Sequence, residues 1–404
     1  MANVNTFTFE DVANTLAAIQ NQVTGQTSVA TTNTADWVSV AQTTLRTGVD
    51  PVMSAISRIT DKTIFENRPY REKFKGLEMD SVRWGSHTRK LTPLDKPFEA
   101  DQRYNLVDGV AIDDQVVNKP SVLQTNLYGE STWSKSMTIF KDQLDVAFSG
   151  PDSFAQFLGM VMQNADDQLS QARENLARYT LANFMLAMTY YEANSIDAGR
   201  VVHLVTEYNG FISASPALTW ADICADGAEY DRFMKWACAQ IMTEAELMTE
   251  RTQKYHLNPI VGGTQTSILR HTPKSEQNFY ILNQQKFEIE TLVKSNTFHD
   301  NYLSKVNEAQ VVNFWQGFDT PGDIMLDISC MKPSDGDYQT VSSQSASDVF
   351  AVIVDREAVG YTIRNQWSAT APFNARGGYT NIFWHNTVRW FNDNTMNGCI
   401  FLLD

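Results

Sequence analysis

The chain has 404 residues, 43% of them hydrophobic, with 9 Trp, 22 Phe and 14 Tyr, which is too much for one compact core and suits two or three domains. Its 47 Asp and Glu against 32 Lys and Arg give a formal net charge of -15; this excludes a protein that grips nucleic-acid backbone, whose affinity comes from clustered cations and released counterions. No apolar run reaches the roughly 18–20 residues of a membrane span, no secretory signal opens the chain, and Cys224, Cys238, Cys330 and Cys399 form no CxxC pair, so the expected compartment is the reducing cytosol.

Residues 1–75 read as a run of short helices. Thr8 and Asp11 make a capping-box-like start for Val12–Val23, Thr34 caps Ala35–Arg46, and Asp50-Pro51 opens Val52–Thr60. Short helices on flexible links bury little among themselves, so this arm is expected to lie on another subunit. Residues 81–148 turn β-rich, with segments at Val82–Trp84, Phe98–Val107, Val110–Val117 and Thr132–Ile139. Pro93, Pro97, Pro120 and the Asp108-Gly109 turn interrupt them. The stretch is too charged to close a core alone and reads as a long extended hairpin loop.

Residues 151–193 carry the clearest pattern. Phe154, Phe157, Val161, Ala165, Leu169, Ala172, Leu176, Tyr179, Phe184, Ala187 and Tyr191 recur at helical steps, with Gln156, Gln163, Asp167, Gln171, Glu174 and Arg178 opposite. The spacing predicts one helix on the order of 60 Å long. Residues 200–340 mix α and β. Val201–Thr206 is expected as a strand, Thr219 with Asp222 as a helix start, and Phe233–Met248 as a helix with Met234, Ala237, Ile241, Ala245 and Met248 on its buried face. Pro259–Gly262, Phe279–Leu282, Ala309–Phe314 and Asp323–Ile328 are further strand candidates, and Ser334–Ser347 reads as a polar surface loop. Val349–Val354 is a strand buried on both faces and Tyr361–Ile363 a shorter one. Thr380–Phe391 and Cys399–Leu403 follow, joined through Asn397-Gly398.

Little of this points to catalysis. The histidines at 87, 203, 256, 271, 299 and 385 stand isolated, without the spacing of a metal site. Asp166 and Asp167 project about 100° apart on a helix, and Asp113 and Asp114 face opposite sides of an extended chain, so both pairs suit partner salt bridges better than acid–base work. Gly262-Gly263-Thr264 lacks the lysine of a phosphate loop and reads as a tight turn. Arg68, Arg71, Lys73, Lys75, Arg83, Arg89 and Lys90 form a basic region diluted by Glu66, Glu72, Glu78 and Asp80; an acidic patch on a neighbouring copy is its expected partner. No catalytic, cofactor-binding or metal residue is assigned, and no cofactor is expected.

The order of elements resembles the major capsid protein of tailed bacteriophages, the Hong Kong 97-like fold of class α+β. Two stretches carry the likeness: TWSKSMTIF leading through GPDSFAQF into the long helix, and VFAVIVDREAVGY leading through NARGGY (Asn374 to Tyr379) to GCIFLLD. The resemblance implies an N-terminal arm at 1–80, an E-loop at 81–140 reaching over an adjacent subunit, and a P-domain with its spine helix at 141–199. An A-domain at 200–345 and C-terminal P-domain strands at 346–404 complete the division. It implies hexamers and pentamers in an icosahedral head of a virion assembled in the host cytoplasm, portal and possible scaffolding or decoration proteins as partners, and only weak contact with packaged double-stranded DNA. An arm starting near Met1 implies that scaffolding is separate or absent. Arg83, Arg89 and Lys90 would then meet Asp166 and Asp167 of a neighbour, with Asn374 and Arg376 as further inter-subunit candidates. Some members crosslink through Lys–Asn isopeptide bonds; Asn374 with Lys90, Lys96 or Lys119 would carry one, but no crosslink is expected here. Gly76, Gly85, Gly129 and Gly150 are expected hinges. The alternatives are an encapsulin-type nanocompartment shell and a cytosolic hydrolase with its site in 200–340.

Overall fold

The computed structural model describes residues 74–79, 88–94, parts of 98–140, 151–261, 264–296 and 309–404, apart from 267, 335 and 373. The three helices expected before Thr60 and the strand expected at Val82–Trp84 lie outside the described residues.

A hairpin opens the β structure. β1 (Thr88–Pro93) pairs antiparallel with β2 (Val122–Leu127), from Thr88 opposite Leu127 to Pro93 opposite Val122. The strands sit at the foot of the hairpin and not at 98–107 or 110–117, where the described residues hold none. Prolines bound the paired stretch: Leu94 N–H still donates to Ser121 O at 3.0 Å, but Pro97 and Pro120, next along each arm, have no N–H to give. The expected turn is present, with Val110 N–H donating to Val107 O at 3.1 Å and Gly109 at φ +83°. β3 (Gly129–Phe140) then leads to α1 (Pro151–Ala193), whose 43 residues match the predicted helix at both ends.

β4 (Val201–His203) is shorter than expected, because Leu204, Val205 and Tyr208 take up helical spacing and bury in α2 (Leu204–Ile212). α3 (Trp220–Ala225) begins with the expected capping box: Asp222 N–H donates to Thr219 Oγ1 at 3.2 Å and Thr219 N–H to Asp222 Oδ2 at 2.9 Å. α4 (Gly227–Leu247) starts six residues before Phe233, since the Asp226 carboxylate caps it from Ala228 N–H at 3.0 Å. β5 (Ile260–Val261) and β6 (Thr264–Gln265) pair with Val261 opposite Thr264; the tight turn expected at Gly262-Gly263 lies outside the described residues. β7 (Gln277–Leu282), α5 (Asn283–Asn296), β8 (Gln310–Val312) and β9 (Ile324–Met331) follow. β10 (Tyr338–Ala346) replaces the loop expected there. It is polar but pairs with β9, bulging between Val341 and Gln344. β11 (Val349–Asp355), β12 (Val359–Thr370), β13 (Tyr379–Asn392) and β14 (Gly398–Leu402) complete the described chain.

The chain divides into two compact units. One contains residues 132–174 and 365–387, and the other 74–131, 175–364 and 388–404. The core of the second is a five-stranded sheet in the order β4-β14-β11-β7-β8, parallel at both edges and antiparallel between. β11 lies central, and all seven of its residues are buried, as a two-faced apolar run requires. α4 packs its expected face here: Met234, Ala237, Ile241, Ala245 and Met248 are at most 1% exposed. Residues 180–188 of α1 are buried on every side. That half of the helix departs from the predicted two-faced pattern, with Tyr179 exposed and Arg178 buried. Arg178 is stabilised by the Phe314 carbonyl and by the Phe314 ring, whose centroid lies 4.0 Å from its guanidinium carbon.

The link from β13 to β14, Asp393 to Asn397, is polar yet buried. Several of its groups are satisfied across the unit, while both polar side-chain atoms of Asn394 are buried without a hydrogen-bond partner. Asn394 O accepts from Leu257 N–H at 3.0 Å, Asn397 Nδ2 donates to Thr272 Oγ1 at 3.1 Å, and Asp393 Oδ1 accepts from Thr395 N–H at 3.0 Å. Such a network fixes a single arrangement, because each group left without a partner would carry its full desolvation penalty.

Candidate assembly surface

The hairpin has a pinned foot and a bare tip. At the foot, Lys90, Thr92 and Thr125 turn inward while Arg89, Leu91, Val122 and Gln124 turn outward, the alternation of a strand pair. Lys90 Nζ lies 3.2 Å from Asp393 Oδ2 and 3.5 Å from Glu357 Oε2. Arg270 donates to Thr92 Oγ1 at 3.1 Å and Thr395 Oγ1 at 3.2 Å. Gly129 follows directly: a Cβ there would stand 2.0 Å from the carbonyl oxygen of Trp390. Its smallness therefore allows close backbone contact. Gly85 and Gly150 lie outside the described residues, and a Cβ on Gly76 would meet the Gln310 side chain at 2.6 Å. Next to Gly129, Glu130 receives Arg364 at 2.9 Å and Arg389 at 3.6 Å.

Toward the tip the apolar side chains have no cover. Phe98 is 107% exposed, Val117 77%, Leu106 69%, and Val107 and Val110 66% each. Only scattered single apolar groups belong on a free surface; a run of them on one projecting segment marks a contact site.

The inter-subunit candidates fall in different settings. Arg83 lies outside the described residues, as do Asp113 and Asp114. Arg89 and Asp166 are exposed. Asp167, half-buried, points elsewhere on α1 from Asp166. Lys90 is engaged by Asp393 and Glu357 of its own chain. Asn374 holds its own turn: Oδ1 accepts from Arg376 N–H at 3.1 Å and Gly377 N–H at 3.0 Å, and Nδ2 donates to the Tyr379 hydroxyl at 3.2 Å. Arg376 is exposed beside it. Lys119 is exposed and Lys96 lies outside the described residues.

Two charged clusters were not read from the sequence. One is Lys90 with Asp393. The other joins His203 to Asp404 through Nδ1 at 2.7 Å and to Glu192 through Nε2 at 3.1 Å. Partial burial of His203 acts to lower its pKa, but the hydrogen bonds to Asp404 and Glu192 prevail and raise it above 6.5. His256 is the reverse case. Burial, reinforced by Arg270, takes it down to about 4, and its ring nitrogens approach Asn397 Oδ1 at 3.2 Å and Ile268 O at 2.8 Å. Among the described residues no group of His, Cys, Asp and Glu is arranged to hold a metal ion, and no helix is long and apolar enough to cross a membrane. Cys238, Cys330 and Cys399 are buried free thiols and Cys224 an exposed one.

A mixed body bearing a pinned hairpin, a continuous helix of 43 residues and long C-terminal strands is the α+β capsid architecture of the Hong Kong 97-like fold. In fold it is similar to a chain of the capsid of Staphylococcus phage Andhra, with 10% identity over 85% of this chain and 87% of that one and a TM-score of 0.53. It is also similar to a chain from the structure of the head fiber and inner core protein of native bacteriophage P68, with 11% identity, coverage of 85% and 87%, and a TM-score of 0.55. No curated protein matches the sequence. The family model of the Phi29-like phage major capsid protein matches residues 16–402, and the chain belongs to that family. It is a family of structural proteins of the virion.

Proposed function

We propose that this chain is the repeating subunit of an icosahedral phage head, forming hexamers and pentamers that enclose double-stranded DNA. The observation that supports this reading best is the uncovered apolar tip. Each such side chain contributes about 1.5–3 kcal/mol when fully buried, and five of them on one segment (Phe98, Leu106, Val107, Val110 and Val117) supply a strong drive to associate, even after the entropy of ordering is subtracted. In this reading residues 1–80 are the arm, 81–140 the E-loop, 141–199 and 346–404 the P-domain and 200–345 the A-domain. Portal, scaffolding or decoration proteins are further partners, and the net charge of -15 keeps contact with the packaged DNA weak. Arg83 and Arg89 pair across copies with Asp166 and Asp167, and Arg376 adds a contact from its exposed turn. Such exposed pairs are worth about 0–1 kcal/mol each, but every copy repeats them. Asn374, held in its turn, and Lys90, held at the hairpin foot, form no covalent crosslink. Electron microscopy of the expressed protein tests the reading: closed shells are expected, while a monodisperse monomer at high concentration, with 98–117 protected from hydrogen exchange, would refute it.

A further inference from the structure

The unit containing residues 132–174 and 365–387 holds a groove of about 230 Å³ between α1 and the sheet strands β3, β12 and β13. Trp133 of β3 and Trp384 of β13 stand in its walls, and Leu169 and Ala172 of α1 form an apolar floor. Asn386, two residues beyond Trp384 and so on the same face of β13, also lines it. That residue is only 6% exposed, and its Oδ1 accepts no hydrogen bond within the chain. The buried carbonyl therefore carries its desolvation penalty until a ligand donates to it. Gln366 of β12 is a further lining residue; its Oε1 accepts from Arg173 Nη2 at 3.0 Å, which leaves the amide N–H groups as donors.

These features select a ligand. The volume falls below the roughly 300–1,000 Å³ of pockets for drug-sized molecules, which limits the occupant to a single ring. Lys135 and Asp166, the charged lining residues, are opposite in sign, so a charged ring gains nothing over a neutral one. The occupant must donate to Asn386 and accept from Gln366 while presenting apolar faces to two indoles. A hydroxyl is donor and acceptor at once, and a pyranose carries several on its rim with C–H groups on its faces. We propose that the groove binds a neutral hexopyranose, its ring against Trp133 and Trp384, one hydroxyl donating to Asn386 Oδ1 and another accepting from Gln366 Nε2. A free sugar and one residue of a polysaccharide present the same ring, so the chemistry is common to both sources.

Saturation-transfer difference NMR on the full-length protein tests it, with glucose and mannose as free sugars and dextran and mannan as their polymers. Transfer to the ring C–H protons is expected, half-saturating at about 1 mM for a free hexose, the affinity of a ligand of this size. A polymer that binds more tightly per ring assigns the source to a polysaccharide; equal binding assigns it to the free sugar. Asn386→Leu removes the unmet carbonyl at similar volume. Binding should weaken about tenfold while the melting temperature holds or rises, a combination that a purely structural amide would not give. Ala172→Phe fills the floor and should abolish the transfer. No saturable transfer to any of the four sugars, or transfer that survives Ala172→Phe unchanged, would overturn the proposal. The measurement needs no assembled shell, so a negative result leaves the shell reading as it stands.

Discussion

Replacing Lys90 by methionine keeps the length of the side chain and removes its charge, leaving the Asp393 carboxylate, which is 0% exposed, without its cation. Breaking a buried ion pair from one side costs about 3–5 kcal/mol. Asp393 retains hydrogen bonds from Thr395 N–H at 3.0 Å and Thr395 Oγ1 at 2.6 Å, and the Lys90 side chain is 19% exposed, so the loss falls at the bottom of that range, about 3 kcal/mol. The Glu357 contact adds little, because that carboxylate is 64% exposed. Urea unfolding of the unassembled subunit, followed by tryptophan fluorescence, measures the loss. The double variant Lys90→Met with Asp393→Asn should recover most of it, because the amide keeps an acceptor for Thr395 and carries no charge. Hydrogen exchange at Arg89–Thr92 should quicken in the single variant. A Lys90→Met protein within about 0.5 kcal/mol of the parent, or a double variant no better than the single, would show that the pair does not hold the hairpin foot.

Gly129→Ala places a methyl group 2.0 Å from the Trp390 carbonyl oxygen and should destabilise the subunit by about 2 kcal/mol or more. Gly210→Ala, in α2 with open space around it, should stabilise by about 0.5–1 kcal/mol; equal melting temperatures for the two variants would contradict the geometry. The contribution of His203, whose pKa is raised in the folded chain, is fully present below about pH 6.5 and disappears as pH rises through its folded value. His203→Gln should flatten that part of the stability–pH profile, and an NMR titration placing the His203 pKa below 6.5 would refute the sign.

What could be read from the sequence was whatever depends on near neighbours. α1 was legible because 43 residues keep a helical apolar repeat without an internal proline, and β11 because an unbroken apolar run of strand length has few other uses. α5 escaped notice since its apolar stripe is thin, with Ile289 its one fully buried hydrophobic among the described residues. β10 escaped because a polar strand is held by pairing with β9, which no local pattern announces. The charged clusters were illegible for a related reason. His203 and Asp404 are 201 residues apart, and Arg364 and Glu130 are 234 apart; only the completed sheets bring them together. The exposed tip was half-legible: prolines and the Asp-Gly turn gave a projecting loop, but its strands were placed between Pro97 and Pro120 instead of outside them.

The sheet order carries a consequence for synthesis. β14 fills the slot between β4 and β11, and Ile400 takes Val201 as its partner. Until the ribosome has passed that point, both flanking strands present bare ladders and the middle of the sheet is missing. A copy cut short upstream therefore fails in its interior as well as at its rim.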